Sequence, residues 1–351
     1  MKYFSEIFED KTKYGTKLKT GEYQEQGKYL IVDQGQELIA GYTDREGEAF
    51  FDLPAIIFGD HTRILKYVDQ PFYIGADGVK ILRSKLKDAN YKYLFYALKY
   101  VSIPNTGYNR HFKWLRQSSI KYPDNVTQNR IVKILDTVSG IIQLRKKELN
   151  QLDYLIQARF VEMFGNPFDT SKWTVKKLKD ISESMVDGSN VNPDYYEPEG
   201  EVLFLRIQNV WRNEFRLDDS VYIAQEINKN QYYDTSLRTG DLLITKIGRY
   251  YTKDSSLGRV SVYRGDDDCA NYSNNIMRVR LDSSVNSEFV NVLLNLEDYQ
   301  FFIKRTSKGG TDKRALSKSL IGSYPIILPP KELQDEFVGF VKRIDKSKVE
   351  Y

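Results

Sequence analysis

Residues 126–164 read VTQNRIVKILDTVSGIIQLRKKELNQLDYLIQARFVEMF. Stepping alternately by four and three from Ile131 meets Leu135, Val138, Ile142, Arg145, Leu149, Leu152, Ile156, Arg159 and Met163, so only two arginines interrupt an apolar seam. Such spacing is the stripe of a helix that pairs with another helix. The stretch holds one glycine, Gly140, and no proline; Pro123 precedes it and Gly165-Asn166-Pro167 follows, as helix boundaries require. One helix is predicted, roughly 55 to 60 Å long, more than a small domain needs to close its core.

The opening of this helix recurs at the other end of the chain. Pro123, Gln128, Ile131, Ile134 and Leu135 are matched at a constant offset of 206 by Pro329, Gln334, Phe337, Phe340 and Val341. Upstream, Ser118 to Pro123 resembles Ser319 to Pro325 with a short insertion, Phe4 to Ile7 resembles Leu178 to Ile181, and Gly27 to Ile31 resembles Gly200 to Phe204. The plan is domain, helix, domain, helix: a first globular unit over 1–122, a central long helix over 123–165, a second unit over 166–328 and a distal helix over 329–351.

Composition fits that plan. The 351 residues suffice for two domains of about 120 to 150 residues. Hydrophobic content of 41% with 28% charged residues is ordinary for a soluble protein. No run reaches the roughly 18 apolar residues of a membrane helix, and Met1-Lys2-Tyr3-Phe4-Ser5-Glu6 is too charged for a signal peptide. A single cysteine, Cys269, excludes an internal disulfide framework and suits the cytoplasm, the expected location. Net charge +4 and a pI of 8.7 permit an anionic partner without demanding one.

In the first unit, Tyr29 to Val32, Glu37 to Ala40, Ala55 to Phe58, Pro71 to Ile74 and Val79 to Leu82 read as strands of a mostly antiparallel sheet, and Tyr91 to Tyr100 as a helix, giving an α+β unit. Two loops stand out. Asp60, His61, Thr62 and Arg63 place a carboxylate, an imidazole, a hydroxyl and a guanidinium at a strand end. Residues 105–114 hold Asn105, Tyr108, Arg110, His111 and Lys113 with no acid.

The second unit repeats this logic. Val202 to Ile207, Asp241 to Ile247, Arg259 to Tyr263 and Ile276 to Leu281 read as strands, and Ser287 to Leu296 as a helix. Its polar loops carry Arg206 and Asn209, then Lys246, Arg249 and Tyr250, then Asn274. The counterpart of the basic loop is 304–314, with Lys308, Gly309, Gly310, Thr311, Lys313 and Arg314; it has five positive charges against one negative. Arginine and lysine neutralise phosphates, amides and guanidinium groups pair with base edges, and glycines admit a close backbone. A charged loop is usually only solvated, but such a loop at the same place in both copies points to DNA.

Constellations for chemistry are missing. His61 and His111 lie far apart in sequence without a nearby cysteine, so no metal site is expected. Lys308-Gly309-Gly310-Thr311 lacks the spacing of a phosphate loop. Asn192-Pro193-Asp194-Tyr195 resembles the tetrad of adenine methyltransferases, yet no glycine-rich cofactor strand precedes it, and a turn is the simpler reading. Asp136, Glu148, Asp153 and Glu162 read as solvated faces of the long helix.

Two different α/β domains, each followed by a Pro-x4-Gln-x2-apolar entry into a long helix, resemble the specificity (S, HsdS) subunit of Type I restriction-modification systems over essentially the whole chain. Residues 58–63 with Gly75-Ala76-Asp77-Gly78, and Gly240 to Leu243 with Asn271-Tyr272-Ser273, also resemble stretches of its target-recognition domains. The acid that usually precedes the glutamine is absent from both copies. The resemblance implies two tandem recognition domains whose helices pair as an antiparallel coiled coil with pseudo-twofold symmetry, Ile131, Leu135, Val138, Ile142, Leu149, Leu152, Ile156 and Met163 meeting Phe337, Phe340 and Ile344 or a partner.

It further implies that the chain binds a bipartite, asymmetric target in double-stranded DNA and has no catalytic residues. Two methyltransferase (M) subunits using S-adenosylmethionine, and restriction (R) subunits needing ATP and Mg, would supply the chemistry. The helices would act as a ruler, since half-sites about one turn apart, roughly 34 Å, lie within their span. At the 206 offset Tyr351 stands at Arg145, so Ile131, Leu135, Val138 and Ile142 are expected to be partly exposed and covered by a methyltransferase subunit or a second copy. The competing reading is a stand-alone DNA-modifying or cleaving enzyme, or a targeting subunit of another restriction system.

Overall fold

The computed structural model describes residues 1–75, 77–107, 109–169, 171–252, 254–310 and 312–349. The chain forms two compact units, Met1–Lys146 and Lys147–Tyr351.

In the first unit, strands β1 (Phe8–Asp10), β2 (Tyr29–Val32), β3 (Gly41–Thr43), β4 (Ala55–Gly59), β5 (Leu65–Val68), β6 (Phe72–Ile74) and β7 (Val79–Ser84) build two sheets. One is antiparallel with order β1-β7-β4-β5; the other has order β3-β2-β6 and contains one parallel pair, β2 with β6. Strand β4 reads as a continuous apolar run because the sheet is covered on both faces. Ile56 and Phe58 pack toward α1 (Tyr91–Lys99) and α2 (Phe112–Arg116), whereas Ala55 and Ile57 pack toward the second sheet with Val32, Phe72 and Ile74. The predicted strand at Glu37 to Ala40 is instead irregular chain leading into β3, where Tyr29 and Thr43 set the pairing. Gly35 and the bend that starts at Asp33 turn the chain before an edge can form.

Helix α3 runs over Asn125–Phe164, its first part in the first unit and its end in the second. Its start explains the recurring glutamine: buried Gln128 donates from Nε2 to the Pro123 carbonyl at 2.8 Å. Asn90, which caps α1 through Tyr93 N, also reaches Asn129 on the helix.

The second unit repeats the arrangement. Strands β8 (Ser182–Asp187), β9 (Val202–Leu205), β10 (Val221–Ile223), β11 (Leu242–Thr245), β12 (Ile247–Arg249), β13 (Val260–Val262), β14 (Ala270–Tyr272) and β15 (Ile276–Leu281) give the sheets β8-β15-β11-β13 and β10-β9-β14. These match the first unit strand for strand, including the parallel pair β9 with β14. Leu242 and Ile244 face the main core, and Leu243 faces the other way.

Helices α4 (Ser287–Asn295) and α5 (Glu297–Thr306) follow, then β16 (Lys308–Gly309), β17 (Lys313–Ala315), α6 (Lys318–Gly322) and α7 (Lys331–Val349). The ribbon β12-β17-β16 has no counterpart among the described residues of the first unit. At the start of α7, Gln334 donates to the Pro329 carbonyl at 2.8 Å and accepts from Asn286 N at 3.0 Å, while Asn286 caps α4.

Where α3 meets α7 the two run in opposite directions: Asp153 pairs with Lys348 and Arg159 reaches Glu336. The buried stripe there is Ile156, Phe160 and Phe164, with Met163 partly buried. Phe160 and Phe164 pack their rings on Phe289 and Phe337. The seam counted from Ile131 passes beside both phenylalanines, because the helix end enters a globular core with i, i+4, i+8 spacing rather than following a strict heptad. Ile156, Met163, Phe337, Phe340 and Ile344 of the expected pairing set lie in or against this core. Leu149 and Leu152 are half-buried, as are Ile131 and Leu135, whereas Val138 and Ile142 are 45% and 51% exposed.

Candidate nucleic-acid interface

In each unit the chain leaves the parallel strand pair at its carboxyl end, and the polar turns gather there. In the first unit the structure brings residues 59–63, 77–78, 105–107 and 109–111 together, although they are distant in sequence. Asp60 is the pin. It is buried, its Oδ1 accepts from Phe112 N at 2.7 Å at the start of α2, and its carbonyl accepts from both the backbone N and Nδ1 of His111. His111 is itself fully buried, with Thr106 N donating to its Nε2 at 3.4 Å.

Asp60 was expected to face DNA. Its carboxylate instead holds α2, because a helix start offers unpaired N–H groups that a buried carboxylate satisfies.

Around that pin the exposed groups are spread. His61 Nδ1 donates to the Asn109 carbonyl at 3.2 Å, Thr62 Oγ1 donates to the Gln34 carbonyl, and Arg63, at φ +62°, donates to the Ile103 carbonyl. Asn105 accepts from Gly107 N, Arg110 is exposed beside Asp77, and Lys113 on α2 lies over the Trp114 ring. The Lys17 ammonium bound to Asp77 holds its carboxyl below the usual range. Tyr108 lies outside the described residues. Gln34, which the sequence reading missed, clasps the cluster by accepting from His61 N and donating to the Asp77 carbonyl. Its signal was the register of the repeat: Asp33-Gln34 follows β2 as Arg206-Ile207 follows β9.

The second unit gathers the turn 206–209, residues 246–250, the turn 273–275 and the ribbon. Asn209 is buried, accepts from Arg206 N and donates to the Arg216 carbonyl and Asp219, so it shapes its own turn rather than facing outward. Arg206 pairs with Asp219 and Lys246 with Asp187.

On the ribbon, Arg249 is 66% exposed, with Asp312 3.6 Å away, and Lys308, Gly309, Gly310 and Lys313 are exposed. Arg314 lies 4.4 Å over the Tyr250 ring and donates to the Gly310 and Ser307 carbonyls, which stiffens the ribbon. Gly309, at φ +141°, is required there, since a Cβ would stand 2.6 Å from the Lys313 carbonyl oxygen. Asn274 is exposed in its turn, and Thr311 lies outside the described residues.

A cavity of about 580 Å³ opens beneath the ribbon, walled by Gln208, Trp211, Arg249, Asn275 and Lys313 with Arg259 at its base. The Arg216 and Arg259 guanidinium carbons lie 3.4 and 3.7 Å from the centre of the Trp211 ring. Groups of that size cannot share one face, so the indole is sandwiched. Burial, together with the Arg212 and Arg216 charges, pushes Arg259 down to about 10. Its guanidinium donates to the carbonyls of Ser255, Asp254 and Val210. Trp211, Arg259 and Asn275 were also missed, since nothing in their local sequence marks a cavity wall.

The sequence matches the family described as Type I restriction modification DNA specificity domain over residues 2–154 and 170–351. The chain belongs to that family. Among solved structures, this specificity-family chain is similar to the S subunit of a Type I restriction-modification system from M. genitalium, with 15% identity, 97% of this chain and 88% of that chain covered, and a TM-score of 0.52. It also matches an HsdS subunit from Thermoanaerobacter tengcongensis at 16% identity, with 97% and 86% covered and a TM-score of 0.40. The first likeness shows that the tandem fold of this specificity-family chain is shared.

Proposed function

We propose that this specificity-family chain reads a bipartite, asymmetric DNA site as the S subunit of a Type I restriction-modification complex, each unit reading one half. The observation that carries the reading is the duplicated module: two strand-for-strand equivalent units gather polar, cationic loops at the same strand ends, but with different side chains. Equivalent frames set the same approach to DNA, and different side chains demand different base sequences. The helices set the half-site separation.

Chemistry belongs to the partners. Methyltransferase subunits, two per chain, supply S-adenosylmethionine-dependent methylation of adenine, and restriction subunits supply ATP- and Mg-dependent steps in the cytoplasm. Among the described residues no helix is long and apolar enough to cross a membrane. The exposed Ile134, Val138, Ile141 and Ile142 on α3 are the place for a methyltransferase helix; a second copy of the chain on that face is the other outcome of a sizing experiment with each protein alone and together.

The test is genome-wide adenine methylation in a methylation-free host carrying the chain with and without its methyltransferase partner. A split, asymmetric motif that needs both proteins is expected. A motif made by the chain alone would instead make it a methyltransferase in its own right.

A further inference from the structure

The two units share one backbone bond at the heart of their loop clusters and fill the space beside it in opposite ways. In the first unit Asp60 N donates to the Gly78 carbonyl at 2.7 Å; in the second, Lys246 N donates to the Asn275 carbonyl at 2.8 Å. Each bond joins the residue after the central strand to the residue before the last strand of the sheet, so Gly78 and Asn275 are equivalent. At Gly78 the slot is taken: φ is +83° and an added Cβ would lie 2.8 Å from the His61 ring. At Asn275 the slot holds an amide that borders the 580 Å³ cavity and makes no side-chain hydrogen bond to any described residue.

Its surroundings are those of a groove reader. Arg249 and Lys313 on the ribbon form one wall and Gln208 another, and among the described residues the ribbon is present only in this unit. The Trp211 sandwich keeps the base of the cavity rigid. A half-buried amide with an unspent donor and acceptor matches the N6 and N7 edge of adenine in the major groove, while flanking cations match the phosphates on either side.

Building on the specificity-subunit reading above, we infer that Asn275 is a specificity-determining residue of the second unit, reading an adenine in one half of the DNA target from the cavity edge beneath the ribbon. At the equivalent position the first unit carries Gly78, which offers no amide and lies against the His61 ring.

The test compares wild type, Asn275→Ala and Asn275→Asp as full chains with the methyltransferase partner, in a methylation-free host whose genomic DNA is the probe. Thermal melts accompany both variants. Asn275→Ala is expected to relax one adenine position in one half of the motif, lowering discrimination there about 10-fold, with the other half unchanged. Asn275→Asp keeps the shape but leaves only acceptors, so that position is expected to move toward cytosine, whose N4 donates.

A motif unchanged in both variants overturns the inference, as does equal loss of methylation at every site from a variant that melts like wild type. A change in both halves also overturns it. If the wild-type chain itself gives no motif, the specificity reading fails first, and that failure is visible before any variant is compared.

Discussion

At the scale of single residues, the candidate interface separates into groups that hold loops and groups that face outward. Asp60 belongs to the first kind. Asp60→Ala removes the acceptor for Phe112 N at the start of α2 and is expected to lower the stability of the first unit by about 1 to 2 kcal/mol, read by urea unfolding; an unchanged midpoint would return Asp60 to the surface set. Lys313 belongs to the second kind. Lys313→Ala is expected to weaken DNA binding and to reduce the slope of log K against log salt by about 0.9, the share of one phosphate. An unchanged slope would remove this lysine from the backbone contacts. Arg314 differs from its neighbour, since its guanidinium is engaged with Tyr250 and two carbonyls, and its loss would loosen the ribbon as well.

At the scale of elements, the Pro-x4-Gln entry acts as a clamp at both helix starts, but the two clamps are unequal. Gln334 uses both ends of its amide, one on Pro329 and one on Asn286 N. Gln128 holds Pro123 while its buried Oε1 has no partner among the described residues. Gln334→Ala is therefore expected to cost about 1 to 3 kcal/mol and Gln128→Ala less, measured in the same unfolding series; equal losses would show that only the bond to the proline carbonyl matters.

The element plan was legible because Pro123, Gln128 and their counterparts recur at fixed offset, and because continuous runs such as Ala55 to Phe58 mark doubly covered strands. The ribbon β12-β17-β16 was legible only as charge, since Lys308, Lys313 and Arg314 gave no alternation over so few residues. The clasp at Gln34 and the cavity wall at Asn275 needed the fold, because what makes each of them matter is a neighbour far away in sequence.

At the scale of the molecule, each unit has its own core. The first is built around Ile56, Phe58 and Leu94, and the second around Phe160, Phe289 and Phe337. Phe160→Ala opens a cavity in the second core alone and is expected to destabilise that unit by about 3 to 5 kcal/mol. Calorimetry should show one transition moving down and the other staying in place; a single transition that shifts as a whole would mean the units melt together. The seam of α3 was read from Ile131 as one uniform stripe. Its two ends have different surroundings: Ile131 and Val132 pack, half-buried, against the edge of the first core, whereas Phe160 and Phe164 are buried inside the second.

The bond from Asp60 N to the Gly78 carbonyl, and its twin at Lys246 and Asn275, is made wholly by main chain. No side chain is needed to form it, so the side chain at Asn275 is free to drift while the architecture stays intact, whereas Gly78, at φ +83° beside the His61 ring, is held. A lineage under pressure to change which DNA it marks can therefore explore new addresses at this spot without refolding, and it can do so in one module while the other keeps its old allegiance.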